Sequence, residues 1–151
     1  MRHSVFGRRL SRDTKARKAL LNNLASSLIV HGHLETTLAK AKFAQGYVEK
    51  LVSQAKKDKL NRNRILASKL KSDAFAKLVN EISPGFETRL GGYTKIIKIA
   101  ARRGDAAKMA KLEFLEWDKT KAKLVAQSKP KTKKVLKKKE IKNEKRKTSR
   151  H

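Results

Sequence analysis

An excess of 27 positive charges is what most restricts this chain: 40 Lys and Arg stand against 13 Asp and Glu in 151 residues. On a small folded surface such a charge repels itself and opposes compaction. RNA, DNA or an anionic membrane must therefore supply the missing negative charge. The apolar supply sets a second limit. Hydrophobic residues make up 38% of the chain and charged residues 35%, against a usual charged share of about 25%, so one modest core is all it can build. A single domain of roughly 100 to 120 residues plus a solvated segment fits this balance.

The charge divides between two parts. Residues 119–151 hold 15 Lys and Arg against Glu140 and Glu144, a balance of +13, and residues 1–118 hold 25 against 11, a balance of +14. Both parts are expected to meet the polyanion. In 119–151 the apolar residues Leu124, Val125, Val135, Leu136 and Ile141 are too few and scattered to offset the entropy of ordering. This predicts a lysine-rich extension that is disordered or partly helical in isolation and orders on binding. Residues 1–118 are expected to form a polyanion-binding domain with a basic N-terminal arm.

Several classes drop out. The chain has no cysteine, hence no disulfide framework, thiolate zinc site or thiol nucleophile, which is compatible with a reducing cytosol. No apolar run approaches the 18 or so residues of a transmembrane helix, and Met1-Arg2-His3-Ser4-Val5-Phe6-Gly7-Arg8-Arg9 lacks the apolar stretch of a signal peptide. A soluble protein that is not exported is expected.

Periodicity places the elements. Ser11 or Asp13 can cap a helix carrying Ala16, Leu20, Leu24 and Leu28, with Leu21 and Ala25 alongside, that Gly32 ends. Residues 33–36 form an extended link, in which Leu34 can add a strand. Thr37 can cap a second helix with the stripe Ala41, Ala44, Val48, Leu51 and Ala55. A third, shorter helix holds Ile65, Leu66 and Leu70. Asp73 is expected to cap a fourth with Phe75, Leu78, Val79 and Ile82, which Ser83-Pro84-Gly85 stops. After Gly91-Gly92 the pattern changes: Tyr93 to Ala100 is rich in aromatic and β-branched residues, and Ala110, Leu112 and Phe114 alternate with Lys111, Glu113 and Leu115. With Arg102-Arg103-Gly104-Asp105 between them these read as a hairpin. The predicted fold is α+β, about four helices on one face of a small sheet with a C-terminal β-hairpin, plus the basic tail.

The candidate binding residues follow from charge. Arg2, His3, Arg8, Arg9, Arg12, Lys15, Arg17 and Lys18 crowd the first 18 residues, opposed only by Asp13. A guanidinium can bridge two phosphate oxygens or stack on an exposed base, and a lysine cannot. A second cluster joins Arg89 and Lys95 to the Gly91-Gly92-Tyr93-Thr94 turn, where Tyr93 reads either as a base-stacking ring or as a core aromatic opening a strand. Arg102 and Arg103 form a third, too close together for Asp105 to neutralise both. The glycine pair lacks the spacing of a phosphate-cradling loop and leads into a strand.

Catalytic and metal chemistry find little support. His31 and His33 would point the same way in an extended stretch, yet only Glu35 lies near as a further ligand, and capping or RNA contact explains such a pair better. The acids are scattered and mostly near a Lys or Arg, with no paired carboxylates and no Ser-His-Asp pattern. No enzyme, cofactor, metal site or small-molecule substrate is expected.

The ordered set Met1-Arg2-His3, Gly7-Arg8-Arg9-Leu10 with Arg12, Arg17 with Ala19-Leu20, Asn23-Leu24, His31 with Thr36-Thr37, and Lys40-Ala41-Lys42 continues through Lys77-Leu78, Pro84 with Phe86, and Arg89. It closes with Gly91-Gly92-Tyr93-Thr94, Arg103-Gly104-Asp105-Ala106-Ala107, Met109-Ala110 and Glu113. On these motifs the chain from Met1 to about Phe114 resembles the bacterial large-subunit ribosomal protein family numbered seventeen. The resemblance implies a component of the large ribosomal subunit in the cytoplasm that binds its long ribosomal RNA near the polypeptide exit side, beside other ribosomal proteins. It adds Lys40 and Lys42 to the expected RNA contacts. Departures from the family pattern fall at Ala16, Asn22, Gln45, Gly46, Asn63, Gly85, Lys95 and Lys108, several of them where an arginine is usual. Some RNA contacts are therefore expected to be missing or moved, and the lysine-rich tail could compensate. Composition alone would also allow a histone-like DNA-compacting protein, since phosphate contacts carry no sequence information. An RNA-modifying or RNA-cleaving enzyme would need a cofactor loop, metal carboxylates or a base and nucleophile, none of which is visible.

Overall fold

The structure, a computed structural model, describes residues 9–57 and 60–117. The expected contacts at Arg2, His3 and Arg8 and the extension 119–151 lie outside the described residues. Helix α1 (Thr14–His31) begins where Asp13, in extended backbone, accepts a hydrogen bond from the Ala16 N–H at 3.1 Å, so Asp13 and not Ser11 is the cap. It ends at Gly32, whose φ of +80° lets its N–H reach the Leu28 carbonyl at 2.7 Å. A Cβ would strain that left-handed turn.

The buried face of α1 is Ala25, Ser26, Leu28 and Ile29, with Leu21 and Leu24 partly covered. Ala16, expected to open the stripe, is exposed. The early turns of α1 run past the elements it packs on, and sequence period fixes a helix face without fixing how far its neighbours reach along it.

Strand β1 (His33–Thr37) leads directly into α2 (Leu38–Ala55). Thr37 stands at the N-cap but makes no side-chain bond there; instead the Leu38 N–H donates to the Lys108 carbonyl at 2.9 Å. All five residues of the expected α2 stripe are buried, Val52 with them. In α3 (Leu60–Lys69) and just after it Leu66 and Leu70 are buried, whereas Ile65 is 47% exposed. Helix α4 (Ser72–Lys77) has Lys71 at its cap position, with Asp73 inside the first turn. The expected Asp73 cap is thereby corrected. From the first turn its carboxylate complements the positive end of the helix dipole.

Ser83-Pro84-Gly85 does not stop the helix either. The chain widens into a π-helical turn, Leu78–Ile82, in which the Ser83 N–H bonds the Leu78 carbonyl, and closes with the short α5 (Ser83–Gly85). Pro84 has no N–H to donate, and its ring would crowd the carbonyl four residues back in a regular α-helix; the wider turn ahead of it relieves both problems.

The sheet order is β1-β3-β2, antiparallel throughout, with β2 (Thr94–Ile99) and β3 (Met109–Phe114) forming the expected hairpin and β1 on the far side of β3. Leu34, Leu112 and Ile96 lie abreast on the helix-facing side, and Ala110, Leu112 and Phe114 are buried. Among the described residues the helices cover this face alone, which is the α+β arrangement expected. At the end of the sheet where β2 begins, Phe86 meets Tyr93, Trp117 and Phe114 at centroid distances of 5.2, 5.8 and 6.2 Å. Gly85 makes room for this cluster, because a side chain there would collide with the Trp117 indole.

Candidate nucleic-acid interface

The topology gathers cations at the hairpin end of the sheet. Thr37 and Ile99 both pair with Met109, so β1 and β2 finish, and β3 starts, at the same end. That end carries Lys98, Arg102, Arg103 and Lys108, and the Leu38–Lys108 bond sets the first turns of α2, with Lys40 and Lys42, beside them. The first turn of α2 has no acid, so its dipole adds to the positive field. Asp105 is the one carboxylate in the intervening loop.

Asp105 is already engaged. Its carboxylate takes Arg102 Nε at 3.1 Å and Nη2 at 2.6 Å, and also accepts from the Ala107 N–H at 3.2 Å. The Arg102 guanidinium holds the carboxyl well below its ordinary value of 3.8, at about 2. Arg102 thus braces the loop, with Gly104 at φ +98° making the turn, and Arg103 is left exposed without an ion pair among the described residues. Since a lowered carboxyl pKa stabilises the fold above the ordinary value and stops doing so as pH falls through the lowered one, the brace should hold above pH 3.8 and fail toward about 2. NMR titration should give an Asp105 midpoint near 2, and Arg102→Ala should return it toward the ordinary carboxylate range.

A second group of cations stands at the start of α1. Arg9, Arg12, Lys15 and Lys18 are exposed and Arg17 is half-buried, with Asp13 spent on the cap. Sequence reasoning missed a third group. Lys50, Lys57 and Arg62, with the carboxylate of Glu49 among them, line an open groove of about 690 Å³ between α2 and α3. The signal available was the nearness in sequence of Lys50, on α2, and Lys57, two residues past its end.

The remaining expected contacts divide. Arg89 is exposed, but its carbonyl accepts from Lys56 Nζ, which lies 5.5 Å from the Tyr93 ring centroid. Tyr93 is 1% exposed, and its hydroxyl donates to the Leu90 carbonyl at 3.0 Å. The core alternative holds, and Tyr93 as an RNA contact is corrected: a ring enclosed by Phe86 has no face for a base. Tyr93→Phe should leave RNA affinity unchanged and lower stability by about 1 kcal/mol, the usual worth of one hydrogen bond, as read by urea unfolding. Lys95 Nζ pairs with Glu113 at 2.9 Å, and Lys111 reaches the same carboxylate at 3.1 Å. First Lys95 and then Lys111 lower the Glu113 pKa.

Among the described residues no three His, Asp or Glu side chains gather as a metal site, and no helix is long and apolar enough to cross a membrane.

The chain matches the family described as ribosomal protein L17 over residues 20–115. It belongs to that family. It is 49% identical over 120 residues to the large ribosomal subunit protein bL17 of Nautilia profundicola, covering 76% of this chain and 98% of that protein. The protein of the same name from Campylobacter lari is 50% identical over 116 residues, covering 76% and 99%. Membership in a ribosomal-protein family agrees with the expectation that the chain is not an enzyme.

Several of the residues expected to depart from the family pattern have internal partners. Asn22 accepts from the Tyr47 hydroxyl at 2.6 Å, whose titration burial raises, and Gln45 Nε2 donates to the Thr94 carbonyl at 3.2 Å. With Gly85 under Trp117 and Lys95 on Glu113, these residues serve packing and cross-strand pairing.

Proposed function

We propose that this chain is a structural constituent of the large ribosomal subunit, that it binds large-subunit ribosomal RNA near the polypeptide exit side, and that it sits beside other ribosomal proteins in the cytoplasm. The observation that carries the reading is family membership through a core that holds clusters of unneutralised cations in fixed places. The mechanism is electrostatic and architectural. Lys40, Lys42, Lys98, Arg103 and Lys108 at the hairpin end, and Arg9, Arg12 and Arg17 at the start of α1, meet converging phosphates and release their condensed counterions. The folded domain sets the distance between the two groups, so RNA segments that would repel each other are held together. Arg102 acts through Asp105, fixing the loop that presents Arg103.

Co-sedimentation with large subunits in moderate salt tests the reading. Retention on large subunits, with little on small subunits or on duplex DNA, is expected. Equal retention on DNA would favour a DNA-compacting role.

A further inference from the structure

One surface of the domain does not share its charge. The sheet face turned away from the helices carries three cross-strand rows: His33, Glu113 and Lys95; Glu35, Lys111 and Ile97; Thr37, Met109 and Ile99. Its two lysines are matched by two glutamates, and both lysines already pair with Glu113. A phosphate approaching here would meet two lysines held on one carboxylate, and a second carboxylate, Glu35, that balances the face and repels it. Glu35 is exposed and has no ion pair among the described residues.

The same face carries apolar side chains that the fold does not use. Ile97 and Ile99 are 42% and 40% exposed, and Met109 beside Ile99 is half-buried. On a domain so rich in charge, adjacent exposed isoleucines on a neutral sheet face mark a protein contact, because burying them is favourable while RNA offers little apolar surface in return. The chain's own extension is a poor occupant, since residues 119–151 hold 15 Lys and Arg and only scattered aliphatics.

We infer that the outer face of the sheet is the docking surface for a neighbouring ribosomal protein, one that presents an apolar strip to Ile97, Ile99 and Met109 and a cation to Glu35. The inference rests on the ribosomal reading and adds a division of labour: the hairpin end and the start of α1 face RNA, and the outer sheet face turns to protein.

The chain has no cysteine, so a single one is a unique attachment point for a photo-crosslinker. Ile97→Cys in the full chain, labelled with benzophenone maleimide and assembled into large subunits, should crosslink mainly to another ribosomal protein. Ala16→Cys, on the exposed start of α1, should crosslink mainly to RNA. As a second measurement, Ile97→Ser with Ile99→Ser should leave affinity for naked ribosomal RNA within about twofold and make the protein wash from subunits at lower salt. Crosslinking from position 97 to RNA, to a second copy or to residues 119–151 overturns the inference, as does the absence of any crosslink there while position 16 labels RNA. Failure of the unlabelled chain to enter large subunits would overturn the ribosomal reading itself, and this inference with it.

Discussion

Truncation after Asp118 is expected to leave a folded domain with unchanged cooperative unfolding and to remove much of its non-specific RNA affinity. The cut keeps Trp117, which packs on Phe86 and Phe114 at 5.8 and 5.9 Å, and removes 15 of the 40 Lys and Arg. Every phosphate that the shortened chain no longer neutralises makes the slope of log affinity against log salt shallower by about 0.7 to 0.9, so roughly six of them would change it by about 4 to 5 units. Discrimination between ribosomal and unrelated RNA should survive, since 13 of the 15 removed cations are lysines, and a point charge reads no geometry. Filter binding across a salt series measures both quantities. An unchanged slope would show that the extension does not touch RNA.

What could be read before the fold was known depended on whether a pattern answers to one neighbour or to several. The α2 stripe was legible because that helix packs on α1, α3 and the sheet along its whole length, so every position at the helical period found cover. Asp13 and Gly32 were legible because capping is local chemistry. Ala16 and Ile65 were not: each sits on the expected face at a point where the packing partner has ended or turned away. Pro84 was taken for a stop because the sequence does not reveal a widened turn ahead of it.

The candidate interface divides in the same way. That Arg102 and Arg103 could not both be neutralised was visible in the sequence, but the allocation was not. Asp105 goes to Arg102 because the carboxylate also accepts the Ala107 N–H, which fixes it on that side of the loop. Tyr93 was undecided on sequence, and its burial beside Phe86, which follows α5 and also meets Phe114 of β3, decides it. The gathering of Lys40 and Lys42 with the hairpin cations depends on β1 pairing with β3, a pairing across some 70 residues that no local pattern specifies.

Changing Arg8, Arg9 and Arg12 together to Lys is expected to lower discrimination between ribosomal RNA and a length-matched unrelated RNA by about tenfold or more, at an unchanged salt slope. The local structure says why arginine matters here. Leu10 and Ser11 both have positive φ, 53° and 52°, a conformation that costs non-glycine residues about 1 to 3 kcal/mol each. The turn is closed by the Arg12 N–H on the Arg9 carbonyl at 3.1 Å and by Arg12 Nη1 on the Leu10 carbonyl at 2.9 Å. Asp13 then caps α1 immediately after it. Arg9 and Arg12 are therefore held at set positions relative to a rigid helix, so little freedom is lost when they dock, and the planar guanidinium can stack or bridge two oxygens at a defined place. Lysine keeps the charge, which preserves the slope, and loses that geometry; an arginine that reads a base is worth about 1 to 3 kcal/mol of discrimination. Competition binding between the two RNAs at fixed salt gives the ratio directly. Wild-type discrimination in the triple variant would mean that charge alone places the arm, and that its arginines do no more than the lysines of the extension.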